Sequence, residues 1–166
     1  MANSESTKNR ELRTRIEQWL RPEYDTVQPF TADSMAWSYI ASFSNGRKLL
    51  VGRPLEFESH LQISSGLTLA EPHREKFALL PREQRTAYFY DTASQLLALD
   101  VQYEGLVDPP REIWVHTKCF IDGLTRDAFF QRTLRIGNII MLLGLGLSRL
   151  LGEGFNRGSS SQEDVN

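Results

Sequence analysis

The chain has 166 residues, 40% of them apolar, and 19 Lys and Arg against 21 Asp and Glu give a formal net charge of −2. A chain of this length and apolar content can bury enough surface to hold one domain together without disulfides or a structural metal. The near-neutral balance argues against a strongly basic nucleic-acid binder and against a charge-rich disordered chain.

The first element reads as a helix from about Ser4 to Leu20, because Leu12, Ile16, Trp19 and Leu20 fall at i, i+4, i+7 and i+8 on a charged rod. Arg21-Pro22 ends it, since a proline disfavours a helical residue before it. This stretch lacks the apolar core of an export signal, and Cys119 is the single cysteine, so a reducing cytoplasmic location is expected. Residues 25–33 contain Pro29 and no period, which predicts a loop.

Three strands follow. Between Met35 and Phe43, the residues Met35, Trp37, Tyr39, Ala41 and Phe43 alternate with Ala36, Ser38, Ile40 and Ser42, the period of a half-buried strand. Asn45-Gly46 predicts a two-residue type I′ hairpin turn into a return strand from Arg47 to Gly52. The third strand places Phe57, Leu61 and Ile63 on one face and Glu58, His60 and Gln62 on the other, and Ser64-Ser65-Gly66 is expected to end it.

Pro72 and Pro81 suit the first turns of a short helix to about Ala78 and a long one to Leu99, with Phe89, Ala93, Leu96 and Leu97 as the buried stripe of the latter. Val101 to Leu106 reads as a short strand. From Glu112 to Ile121, the line of Ile113, Val115, Thr117, Cys119 and Ile121 alternates with Trp114, His116, Lys118 and Phe120.

Thr125 is a good N-cap for the last helix, with Asp127 well placed in its first turn. Phe129, Thr133, Ile136, Ile140, Leu143, Leu147 and Leu150 form a seam with alternating steps of four and three. The apolar run from Ile136 to Leu147 is too short for a span, so a buried helix is expected, with membrane-surface association a minor alternative. The expected architecture is one α+β domain over residues 1–152: a two-layer sandwich of order α-β-β-β-α-β-β-α, with five antiparallel strands and helices on one face. Residues 153–166 carry no hydrophobic period and are expected to be a disordered tail.

The chemistry-bearing residues do not form a catalytic signature. Cys119 and His116 lie three apart on one strand and so point to opposite faces. Glu58, His60, Gln62 and His116 can gather on the polar sheet face, an alternative site for a sensed small ligand or an enzyme. Their spacing is not that of a metal motif, and neither a phosphate loop nor a nucleophile elbow is present, so no cofactor is expected. The arginines are interspersed with acids, so no nucleic-acid partner is expected. Glycine in a helix costs about 1 kcal/mol relative to alanine. The small residues of the last helix therefore mark a close approach, either to the protein's own sheet or to a second copy. The candidate contact set is Gly137, Ile140, Met141, Gly144, Leu147 and Ser148.

The order of elements resembles the fold of the type III secretion chaperones and of the YbjN-like proteins. Phe77-Ala78-Leu79-Leu80-Pro81 with Arg82 to Leu97, and Ile113 to Phe130 with its Phe120-Ile121-Asp122-Gly123-Leu124-Thr125 junction, are most similar to an uncharacterised prokaryotic family of that superfamily. The resemblance implies a homodimer that binds another polypeptide, and it carries over no catalytic residue. A non-enzymatic interaction module is the resulting expectation.

Overall fold

Helix α1 (Thr7–Leu20) opens the computed structural model, which describes residues 7–152. Leu12, Ile16 and Leu20 are its buried stripe, as their spacing predicts, and any helical turn before Thr7 lies outside the described residues. The strands are β1 (Thr26–Phe30), β2 (Met35–Ser42), β3 (Lys48–Pro54), β4 (His60–Thr68), β5 (Gln102–Glu104) and β6 (Glu112–Phe120). The remaining helices are α2 (Glu71–Leu79), α3 (Arg82–Ala98) and α4 (Arg126–Leu150). All six strands join one antiparallel sheet in the order β1-β2-β3-β4-β6-β5. The α+β class and the order of elements hold, with an edge strand added ahead of the predicted meander.

That added strand, β1, corrects the loop expected at residues 25–33. It pairs with β2 from Thr26↔Ser42 to Phe30↔Ser38. Pro29 is compatible with this because an edge strand leaves one row of backbone groups unpaired, so its missing N–H need cost no ladder bond. The hairpin after β2 also differs in type. Gly46 alone is in the left-handed region, at φ +80, while Asn45 is not. Its N–H donates to the Phe43 carbonyl at 3.0 Å, and the Phe43 N–H donates to the Arg47 carbonyl at 2.9 Å. The result is a three-residue loop with glycine at the left-handed position rather than a type I′ turn.

β4 does not stop at Ser64-Ser65-Gly66 but runs through them to Thr68. Both hydroxyls are used inside the fold: Ser65 Oγ donates to the Lys48 carbonyl at 2.7 Å, and Ser64 Oγ meets His116 Nδ1 at 2.8 Å. Gly66 lies against the Trp114 indole, where an added Cβ would stand 3.0 Å from the ring. Turn-forming residues are here held extended by tertiary contacts.

Alternation along the strands sorts the sheet into two faces. One carries Tyr39, Ala41, Leu49, Val51, Leu61, Ile63, Ile113, Val115 and Cys119, all buried. α1 covers this face at β2, where Tyr39 donates to Glu17 Oε2 at 2.8 Å and Trp37 Nε1 donates to Asn9 Oδ1 at 2.7 Å. α4 packs over β4 and β6. It starts at Thr125, whose side chain accepts from the Ala128 N–H at 3.2 Å, and its seam from Phe129 through Leu147 is buried. At 25 residues, α4 is long and apolar enough to cross a membrane by length and composition, a reach that the shorter run from Ile136 to Leu147 understated. In α3 the buried residues are Thr92 and Leu96, whereas Leu97, expected in the stripe, is 67% exposed. The shift follows from the aromatic cluster of Phe77, Tyr88 and Phe89, which turns the Thr92–Leu96 line inward.

Candidate functional site

The β3–β4 pair is short. Its register runs only from Leu50↔Ser64 to Gly52↔Gln62, although β4 continues four residues beyond Ser64 and β3 begins two residues before Leu50. Ser65 bridges the first gap through the Lys48 carbonyl; beyond it, Gly66, Leu67 and Thr68 pair only with β6. The seam therefore opens toward the β2–β3 hairpin, and a groove of about 840 Å³ occupies the opening.

The walls of this groove come from both faces of the sheet. Leu49, Ser65 and Leu67 belong to the helix-covered face, and Ile40, Leu50, Gly66 and Trp114 to the opposite one. α4 closes one side with Thr133, Leu134, Gly137, Asn138, Ile140, Met141 and Gly144. Four of the six residues singled out in the last helix, Gly137, Ile140, Met141 and Gly144, thus meet in one place. The other two, Leu147 and Ser148, do not line the groove: Leu147 is a core residue and Ser148 is half-buried. Ile140 is only 9% exposed and packs into the core as it lines the groove.

The helix glycines are explained differently from the expectation of close approach to the protein's own sheet. A Cβ built on Gly137, Gly144 or Gly146 meets nothing within 4 Å. At positions 137 and 144 the missing side chain leaves the groove open. Side chains there would reduce the space available to a ligand.

The alternative site is only partly assembled. Gln62 and His116 meet on the face opposite α4, with Nε2 3.2 Å from Nδ1, and Ser64, absent from the sequence-based set, joins them. His116 Nε2 is buried without a hydrogen bond, 3.7 Å from Glu104 Oε1 on β5. Burial pushes the His116 imidazole below its ordinary pKa, against the opposing pull of Glu104. Gln62, His116 and Glu104 edge a polar hollow of about 440 Å³ that also takes in Leu97, Val101, Gln102 and Tyr103.

His60 does not join this hollow. It is buried, with ring centroids 5.2 Å from Phe57 and 6.1 Å from Phe120, and burial followed by the Lys118 charge lowers its pKa. Glu58 precedes β4 and pairs with Arg53 at 3.3 Å. Among the described residues no group of three or more His, Cys, Asp or Glu side chains could hold a metal. Cys119 is buried on the opposite face from His116, and burial raises its thiol pKa, as for a small core hydrophobe. Trp114 and the open β4 edge were missed as site features. Their signal in the sequence was the small Ser-Ser-Gly run next to a strand that carries an indole.

One antiparallel sheet, helices over one face and a groove at an open strand seam define an α+β protein. Residues 12–146 match the family described as uncharacterized conserved protein (DUF2299), and the chain belongs to that family. Among solved structures it is similar to an uncharacterized protein from Methanothermobacter thermautotrophicus, with a TM-score of 0.75 at 15% identity. That match covers 84% of this chain and 99% of the other, and at this identity it shows the fold alone. No curated protein matches the chain.

Proposed function

We propose that this protein is a non-enzymatic interaction module that holds an extended apolar segment of another polypeptide in the groove beside α4. The observation that carries this reading is the groove itself: about 840 Å³, walled by Ile40, Leu50, Trp114, Leu134 and Met141 and kept open by two helix glycines. A small-molecule pocket can have the same volume. Polypeptide is favoured because the seam exposes strand backbone beside apolar walls, the combination that an added strand uses. The similarity of the element order to the type III secretion chaperones supports the same reading. The same resemblance supports a homodimer, and the outward leucines of α4 are its contact in this proposal.

Gly144→Leu tests the groove. The added side chain enters open space, so the fold is retained while the groove is filled. A fluorescently labelled, permanently unfolded carboxymethylated polypeptide should bind the native protein and bind the variant at least about tenfold more weakly, the equivalent of about 1.4 kcal/mol. Equal binding by both, or none by either, overturns the assignment.

A second reading, small-ligand sensing at the polar hollow, is favoured by the unpartnered His116 Nε2 beside Glu104. A ligand seated there should shift the His116 ring resonances, and His116→Ala should abolish its binding.

A further inference from the structure

The groove is electrically asymmetric. Arg47 and Lys48 line its hairpin wall, and neither has an ion-pair partner among the described residues. The acid in its lining is Glu112, on the β6 wall, where its carboxylate accepts from Thr68 Oγ1 at 3.3 Å. The whole chain carries −2, so the basic wall is a local feature set against a weakly acidic molecule. Between the two walls runs the edge of β4 at Gly66–Thr68, which pairs with β6 and leaves its β3-facing side open.

We infer that the bound segment adds as a short strand to this open edge of β4 and carries acidic residues that face Arg47 and Lys48. The inference rests on the polypeptide reading above and gives that ligand its chemistry. Backbone pairing explains why the seam is open at a stretch that is already extended. Gly66 contributes here because it has no side chain to project over the Trp114 indole. The cations act mainly on selection, since exposed charge pairs add little affinity but discriminate between partners of opposite sign.

Three labelled nine-residue peptides with the same alternating Val–Thr core test the assignment by fluorescence anisotropy. One has Glu flanks and one Lys flanks; the third has Glu flanks and is N-methylated at alternate residues, so it cannot donate to β4. The Glu-flanked peptide should bind about five- to tenfold more tightly than the Lys-flanked one at low salt, and molar salt should erase the difference. The Arg47→Glu, Lys48→Glu double variant should invert the preference, with a melting temperature close to native confirming that it is folded. The N-methylated peptide should bind no better than background. Equal affinity for the two flanks sinks the charge assignment and leaves the groove reading standing. Undiminished binding of the N-methylated peptide sinks the strand pairing. Failure of all three peptides, where the unfolded probe still binds and Gly144→Leu still blocks it, overturns this inference alone; failure of the unfolded probe as well removes the reading beneath it.

Discussion

Burial disfavours the charged form of His116 and lowers its pKa, against the opposing pull of Glu104. Gln62 Nε2 and Ser64 Oγ crowd its Nδ1, and its Nε2 is cut off from water while Glu104 stands just beyond hydrogen-bond reach. His60, enclosed by two phenylalanines near Lys118, is shifted in the same direction. For a base whose folded pKa is depressed, the unfolded chain binds more protons between the two pKa values, so stability rises with pH across that window. The contribution of both histidines is therefore fully present above the ordinary value of 6.5 and is lost as pH falls from there through their folded values. The midpoint of urea unfolding should drop between pH 7 and pH 5, and His116→Gln should flatten that drop. A pH profile unchanged by the substitution would show that His116 is as freely protonated in the fold as in the unfolded chain. The opposite orientations of Cys119 and His116 were legible in the sequence, because strand alternation is a backbone property. The isolation of Nε2 was not, because it depends on β5 arriving alongside β6.

At the scale of elements, sequence patterns were dependable where one local rule acted and failed where a tertiary contact overrode it. The α4 seam and its Thr125 cap follow directly from spacing and capping chemistry. Pro29 suggested a loop because the sequence does not say which strand lies at an edge. Ser64-Ser65-Gly66 suggested a terminus because the partners that absorb its hydroxyls, the Lys48 carbonyl and His116, are distant in sequence. The groove was hidden for the same reason, although its α4 wall was visible as a set of glycines that needed an explanation. Those glycines allow a prediction specific to α4. At Gly137 a methyl group meets nothing within 4 Å, so Gly137→Ala should raise stability by up to about 1 kcal/mol from helix propensity. The same change should weaken binding of the unfolded probe. Thr125→Ala, by contrast, should cost about 1 kcal/mol through loss of the cap and leave binding per folded molecule unchanged. A rise in thermal midpoint for the first variant and a fall for the second, by calorimetry, would separate ligand access from helix stability.

For the molecule as a whole, the unresolved tension in the sequence was a last helix with more apolar surface than one sheet face covers. In the fold, Ile136, Ile139, Ile140, Leu143 and Leu147 go to the core, but Leu134 is 65% exposed, Leu142 is 55% exposed, and Met141 and Leu145 also face outward. Leu134 and Met141 belong to the groove, while Leu142 and Leu145 lie outside its lining, one helical turn apart on the same flank. If the protein pairs through α4, as proposed, these two leucines carry the contact and the groove remains free for a polypeptide. Light scattering across micromolar concentrations should then give twice the 19.0 kDa chain mass. The Leu142→Glu, Leu145→Glu variant should return the chain mass with the fold intact, because both side chains leave a solvent-facing position and bring no buried charge. Its affinity for the unfolded probe should change little per chain. A native protein that stays at the single-chain mass would remove the dimer but not the groove, and a variant that still pairs would move the contact off α4.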